Sequence, residues 1–493
     1  ISIQDSYISA YAYGFIGQLY EDEARYDEAM EYSRKAIFHA QSINANESLF
    51  KWEWQVARLL KAQNNIPEAL AAYRQTGKTF KKVRLNILLG AKSNFQRYIA
   101  PFYYQFIGLL LKEATSQTDA EKRLALRREA VKVLEKYKLA EVEDYFQSAC
   151  VDPDAGNTLV SDVDPYTAVI YPIVLEDRLE LVVSVNNKLA QFVIPVERKK
   201  VMSVVRSFRE KIEQPGSKSD YQQDAKTLYS WLVKPYLAFI NKSDIKNLLF
   251  VPDGPLRSIP MSALHDGQKF LIESFSIAST PSLSLTNIHK HDGTPAKVLL
   301  NGVTKAVQGY GALPSVNNEL QNISNLYPSV MLKNEDFTMS RAEKELSEVD
   351  YSIVHIATHG EFSSDYRNSY LLTYDNKLTM AMLEKTIGIR KYKQDPLDLL
   401  VLSACQTAVG DDRAALGLAG VAISAGARSA IATLWFISDK ATSQLVSEFY
   451  QQLQQKSVTK AEALKNAQLS LINSKNRQHP YYWAPFLLIG NWL

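Results

Sequence analysis

Along residues 8–146 apolar positions recur at helical spacing, and glycine and proline are almost absent inside the periodic segments, which predicts a run of α-helices. Two stretches share a signature. Gly17, Tyr20, Tyr26, Ala29, Tyr32 and Ala36 make one, and Ala57, Leu60, Ile66, Ala69 and Tyr73 make the other. In each, a large residue follows a small one three positions on, and an alanine follows twelve positions on. Stacked helix pairs need this arrangement, with small side chains where two helices cross and large ones where the next pair packs. Pro67 falls where a second helix begins, a position that tolerates its missing N–H. Helical segments continue through 98–111 and 124–146 without a clean repeat. The tyrosines along these helices read as core residues.

The period changes near residue 150. Residues 151–165 (VDPDAGNTLVSDVDP) are rich in Asp, Pro, Gly and Ser and predict a linker. Residues 167–175, 178–185 and 190–196 follow as short β-rich runs separated by Glu-Asp and Asn-Asn turns, an antiparallel meander. Strand-like runs at 247–251, 297–301, 351–358, 397–403, 429–434 and 486–489 then alternate with helical patterns at 225–240, 317–326, 341–348, 415–425, 440–455 and 460–473. The alternation predicts an α/β sandwich around a largely parallel sheet, with chemistry at the carboxyl ends of its strands. The expected organisation is an all-α repeat module over 1–150, then an α/β region in two parts, 151–290 and 291–493.

Two segments carry candidate chemistry. Tyr351-Ser-Ile-Val-His-Ile-Ala-Thr-His359-Gly360 is an apolar strand ending in His-Gly, and Asp398-Leu-Leu-Val-Leu-Ser-Ala-Cys405-Gln406-Thr407 is an apolar strand with a cysteine at its edge. Adjacent parallel strands bring such termini together, as a Cys–His dyad needs. The 46-residue separation is close to the spacing of about 50 between histidine and Q-A-C-[RQG]-G in caspases. Ala404, Cys405 and Gln406 fit that signature, whereas Ser403 and Thr407 depart from it. As a strand residue, His355 lies roughly 13 Å from His359, too far to share a metal ion. It reads as a core histidine that supports the site, and no cofactor or metal is expected.

With these residues in view, the chain resembles the CHAT family, caspase-like domains related to separase and found with tetratricopeptide repeats. The resemblance is dense from about residue 228 to the end. It rests on Val251-Pro-Asp-Gly-Pro-Leu-Arg-Ser-Ile-Pro260, His355-Ile-Ala-Thr-His-Gly360, Leu402-Ser-Ala-Cys-Gln-Thr407, Gly417-Leu-Ala-Gly420, Ala432-Thr-Leu-Trp435 and Trp483-Ala-Pro-Phe-Leu-Leu-Ile-Gly490. The helices resemble tetratricopeptide repeats, although the offset from Ala29 to Ala69 exceeds their usual period and predicts a longer turn. The resemblance implies a thiol protease with His359 as base and Cys405 as nucleophile. The backbone N–H groups of Gly360 and Cys405 would form the oxyanion site, and residues 151–290 would be an inactive half-domain. It also implies that the loop Trp435-Phe-Ile-Ser-Asp439 lines the pocket for the residue before the cleaved bond. An acid there, Asp439, favours Arg or Lys; the competing reading has Asp439 capping the helix that begins at Lys440. Asp411 and Asp412 are a second acidic candidate, against a solvated loop.

Composition narrows the partners. A net charge of +3 over 493 residues gives no basic field for nucleic acid, and no block of like charge reads as a binding tail. The apolar run at 414–427 is too short to span a bilayer and reads as a buried helix. Only Cys150 and Cys405 are present, which suits a reducing, cytoplasmic setting rather than a disulfide framework. The chain begins at Ile1, so it sets no limit on what precedes it. Gly309-Tyr-Gly311 lacks the context of a nucleotide loop. The expected partners are a protein or peptide substrate and a protein bound at the helical repeats. The alternative to an active protease is a silent or gated adaptor, in which Trp435, Phe436 or the 366–378 loop plugs the site.

Overall fold

The computed structural model describes residues 3–88, 95–146, 164–215, 220–288, 296–388, 397–403, 405–407, 413–417, 420 and 426–493. The chain divides into two compact units, Ile1–Val151 and Asp152–Leu493.

The first unit is all helical: α1 (Ile3–Asp22), α2 (Tyr26–Ser42), α3 (Asn46–Ala62), α4 (Ile66–Leu88), α5 (Ala100–Ser116) and α6 (Ala120–Phe146). The longer turn expected between repeats is absent. The connections at 23–25, 43–45 and 63–65 are three residues each and share one geometry. A left-handed residue sits at the centre (Ala24 φ 57°, Asn44 φ 55°, Asn64 φ 60°), and the next N–H donates to a carbonyl of the last helical turn. The extra residues lie in the helices, α2 and α3 being 17 residues long. A helix plus its turn therefore repeats every 20 residues. Small residues mark the crossings as predicted. A Cβ on Gly17 would lie 3.1 Å from Ser33 Oγ and 3.2 Å from the Ala29 carbonyl, and one on Gly14 would enter the Trp52 indole. Phe50, Tyr73, Phe80 and Phe102 fill the interior behind them.

The second unit is built on one eleven-stranded sheet. Its strands are β1 (Thr167–Val174), β2 (Leu179–Val185), β3 (Lys188–Ile194), β4 (Asn247–Phe250), β5 (Ser276–Ser279), β6 (Val298–Gly302), β7 (Ser329–Lys333), β8 (Ile353–Ala357), β12 (Leu399–Leu402), β14 (Ser429–Thr433) and β15 (Phe486–Gly490). The order is β3-β2-β1-β4-β5-β15-β14-β12-β8-β6-β7. The meander closes through a two-residue turn with Asn186 and Asn187 both at positive φ (46° and 66°), the geometry that matches strand twist. The pairings inward of β1 are parallel except β14 with β15. That one antiparallel seam divides the sheet into two halves running in opposite directions. The central strands are buried throughout, as parallel strands covered on both faces must be. The 225–240 helix is interrupted where Pro235 removes a donor, giving Asp220–Leu232 and a separate turn at Leu237–Ile240.

A second, four-stranded sheet stands at the end of the large one: β9 (Gly360–Phe362), β10 (Tyr370–Leu372), β11 (Lys377–Thr379) and β13 (Cys405–Thr407), ordered β11-β10-β9-β13. Most of the expected 151–165 linker, and 418–419 and 421–425 of the expected 415–425 helix, lie outside the described residues; 413–417 and 420 are helical.

Candidate active site

β8 and β12 are direct neighbours in parallel register, Ile356 opposite Leu402, and Ser403 N donates to the Ile356 carbonyl at 3.1 Å. Each strand runs two residues past its end into the small sheet. Thr358-His359 leads to β9, and Ser403-Ala404 leads to β13. There β13 pairs with β9 in parallel, and the backbone of Cys405 lies opposite Gly360. The histidine-bearing and cysteine-bearing segments are thus side by side at one sheet end. Ala404, Asp411, Asp412 and the side chain of Cys405 lie outside the described residues.

The His359 ring is fixed from three sides. Nε2 is 2.8 Å from the Gly311 carbonyl. A carbonyl only accepts, so Nε2 carries the proton here and Nδ1 is the basic nitrogen. Tyr310 lies at 5.0 Å between ring centroids and Phe436 at 6.0 Å, nearly parallel at 21°. Tyr310 is itself anchored: its hydroxyl is 2.7 Å from that of Tyr370, which donates to Glu361 Oε2 at 3.1 Å. Burial, then the hydrogen bonds of Tyr310 and Glu361, pushes the Tyr370 phenol well above its usual pKa, so it stays a donor. The loop that presents Gly311 is tied down by Gln308, whose amide donates to the Thr373 and Asn376 carbonyls at 2.9 and 3.1 Å. Gln308 and Gly309 both take positive φ (50° and 85°) in the turn before Tyr310. The Gly309-Tyr-Gly311 segment therefore serves the site through its backbone and its ring. Neither use leaves a side-chain motif to recognise.

His355, on the same strand, is fully buried. Its Nε2 is 2.8 Å from Glu319 Oε1, and Nδ1 is 3.3 Å from the Tyr450 hydroxyl. Glu319 arrives on the Val316–Leu326 helix. A Cβ at Gly302 would come within 2.7 Å of Leu320 Cδ1 and 2.8 Å of Val316 Cγ1, so this glycine lets the helix close on the end of β6.

Between this helix and the loop after β14 is a narrow cleft with room for about one water. Glu319, Ser403, Thr433, Phe436 and Asp439 line it. Asp439 opens the Asp439–Leu453 helix, yet Ser438 is its N-cap, accepting from Ala441 N. Asp439 Oδ2 instead accepts from the backbone N–H of Ser315 at 2.6 Å, at the start of the neighbouring helix. Trp435 is 3% exposed, its indole N–H donating to the Tyr481 carbonyl at 3.1 Å. Phe436, 39% exposed, is the residue of that loop that reaches His359.

The fold and the paired strand ends define an α/β protein of caspase-like protease architecture behind a helical region that fits repeats. The family model for the CHAT domain matches residues 222–491, more than half of the chain. The chain belongs to the CHAT family. Among solved structures it is similar to two of the separase–securin complex of Saccharomyces cerevisiae, each at 10% identity, with TM-scores of 0.45 and 0.41. Each match covers 98% of this chain, which spans 47% of the yeast chain it is compared with. No curated protein sequence matches the chain. Among the described residues no helix is long and apolar enough to cross a membrane.

Proposed function

We propose that this chain is a cysteine endopeptidase in which His359 takes the proton of Cys405. The observation that carries the reading is the backbone register of Cys405 opposite Gly360, one residue from an imidazole whose Nε2–H is held by Gly311. With Nε2 engaged, Nδ1 accepts the thiol proton, and the thiolate attacks a peptide carbonyl to give an acyl-enzyme. The leaving amine takes that proton back, and water activated by His359 releases the acyl group. The N–H groups of Gly360 and Cys405 are the proposed donors to the oxyanion. The acidic cavity beside the site favours cleavage after Arg or Lys.

The stacking of Phe436 on His359 supports a gated form of the same enzyme, opened when substrate or a partner displaces that ring. On the helical unit Ile8, Phe15, Leu19 and Phe38 are 51–67% exposed, an apolar surface suited to a regulatory protein partner. The test is a positional peptide library offered to the wild type and to Cys405→Ala. Cleavage after basic residues that disappears in the variant supports the proposal. An inert thiol together with no cleavage moves the reading to a silent adaptor.

A further inference from the structure

The ring of Tyr310 covers one side of His359, 5.0 Å between centroids and tilted by 33°. That tyrosine is held in turn by a chain of hydroxyls. The Tyr370 hydroxyl lies 2.7 Å from that of Tyr310 and donates to Glu361 Oε2 at 3.1 Å. A phenol has one proton to donate. Tyr370 gives its own to Glu361, so at the other contact Tyr370 accepts and Tyr310 donates. The chain therefore runs from Tyr310 through Tyr370 to Glu361, an exposed carboxylate. Hydrogen bonds in a row polarise one another, so the carboxylate at the far end enriches the Tyr310 ring in electron density. An aromatic face attracts a cation within about 6 Å of its centroid, and His359 becomes a cation when it takes a proton. Phe436 covers the ring as well, but at 6.0 Å and on an exposed side chain that the gated form displaces. Tyr310 is the ring that stays.

We infer that Tyr310, polarised through Tyr370 by Glu361, stabilises the imidazolium that His359 becomes when it takes the Cys405 proton. The inference rests on the reading of His359 as the base and adds the group that answers its charge. The Gly311 carbonyl orients the ring through Nε2–H, and the tyrosine face stabilises the charge that arrives with the proton at Nδ1. The attraction strengthens as the proton moves, which is when it accelerates the chemistry. Tyr310 acts through His359 and touches no reacting bond, so it is a positioning residue. The charged and titratable groups around the stack come from several elements: Glu361 on β9, Tyr370 on β10, Lys377 on β11, Cys405 on β13 and Asp439 in the neighbouring loop. Lys377 Nζ lies 3.9 Å from the Tyr370 ring centroid and opposes the sign of the relay. Asp439 Oδ2 is taken by the Ser315 N–H.

The experiment follows the His359 ring resonances against pH in the Cys405→Ala protein, where the coupled thiol is removed. Tyr310→Leu keeps an apolar side chain beside the imidazole and removes the π face. The protonation midpoint is expected to fall by about half a unit to one unit. Tyr310→Phe restores the face and should recover most of that fall. Glu361→Gln should lower the midpoint while Tyr310 is present and leave it unchanged in the Tyr310→Leu background. A midpoint that rises or stays in place with Tyr310→Leu overturns the inference, because a ring that only shields the imidazole from water disfavours its cation. Equal falls in Tyr310→Leu and Tyr310→Phe overturn it too, since the tether and not the face would then matter. A Glu361→Gln effect that persists without Tyr310 overturns the relay. With Cys405 restored, Tyr310→Leu should move the alkaline limb of kcat/KM for peptide cleavage to lower pH by the same interval. Cleavage with an unmoved limb keeps the protease and overturns the inference. A midpoint that falls as expected in a protein that cleaves no peptide sinks the protease reading and leaves the hold of Tyr310 on the imidazolium standing.

Discussion

After β4 the chain enters Val251-Pro-Asp-Gly-Pro-Leu-Arg257, and after β8 it enters Thr358-His-Gly360; the two segments leave strands that run in opposite directions across one sheet. As sequences they look equally rich in chemistry. In the structure the aspartate of the first is answered by the fold. Asp253 is 0% exposed and accepts from Val174 N–H at 3.2 Å, and Gly254 takes φ 47° to turn the chain under it. Leu256 and Arg257 are buried as well, and with Pro252 they line a second cavity. The second segment leaves His359 partly exposed, with one ring nitrogen bonded and the other making no bond among the described residues. A polar residue whose every group is answered by the fold does structural work, whereas one held in place with a group still open is equipped for a ligand.

The two halves are joined by Arg209, on the Arg198–Ile212 helix. It is 0% exposed and donates to the Ser258 carbonyl at 2.6 Å in the first half and to the Leu434 carbonyl at 2.6 Å in the second. Its guanidinium lies 4.8 Å above Trp435 and pairs with Glu213. One side chain of the first half thus anchors the loop that brings Phe436 to His359.

Substitutions can break the comparison, and the largest expected effect is on rate. His359→Ala should lower peptide cleavage by about a thousandfold or more while the thermal midpoint stays within a degree or two, since the ring is not a core element. A large loss of midpoint would mean that this strand end is structural as well. Arg209→Met should cost about 3–5 kcal/mol, because two buried carbonyls lose their donor and Glu213 its partner. Denaturant unfolding measures that cost, and a change below 1 kcal/mol would show that the halves hold together without it. Asp253→Ala should cost about 1–3 kcal/mol by leaving Val174 N–H unanswered. Its folded fraction should keep full activity; activity lost without stability would place chemistry in the first half.

Much of this was legible from residue types. The Asn186-Asn187 turn announced the meander, and apolar runs ending in His-Gly and Ser-Ala-Cys announced parallel strands with polar ends. The 40-residue spacing announced the repeat but not where its extra residues go, because helix length and turn length add to the same period. What stayed hidden depends on distance or on backbone. Arg209 reaches Leu434 across 225 positions, and Glu319 reaches His355 across 36. The Gly311 carbonyl that orients His359 is an acceptor every residue owns. β9, β10, β11 and β13 are three residues each, too short for a period of two to register. The resemblance offered the 435–439 loop as a pocket lining, but which of its side chains faces the histidine is set by Arg209 holding Trp435 inward.

That last point gives the smallest and most local test. With Trp435 held in the core, Phe436 is left outside, where it covers the face of His359 and part of the cavity wall. Removing a ring contact of this kind forfeits about 0.5–1.5 kcal/mol, which converts to about a two- to tenfold rise in access if the contact gates the site. In a Cys150→Ser background, where Cys405 is the sole thiol, Phe436→Ala should raise the rate of alkylation by iodoacetamide within that range. Stability should fall by no more than about 1.5 kcal/mol, because the ring is already 39% exposed. Saturation with a basic peptide should reduce the difference between variant and wild type, since both sites are then open. An unchanged alkylation rate would mean that the ring steadies the imidazole without closing the site, and the gate would have to be sought in the 366–378 loop.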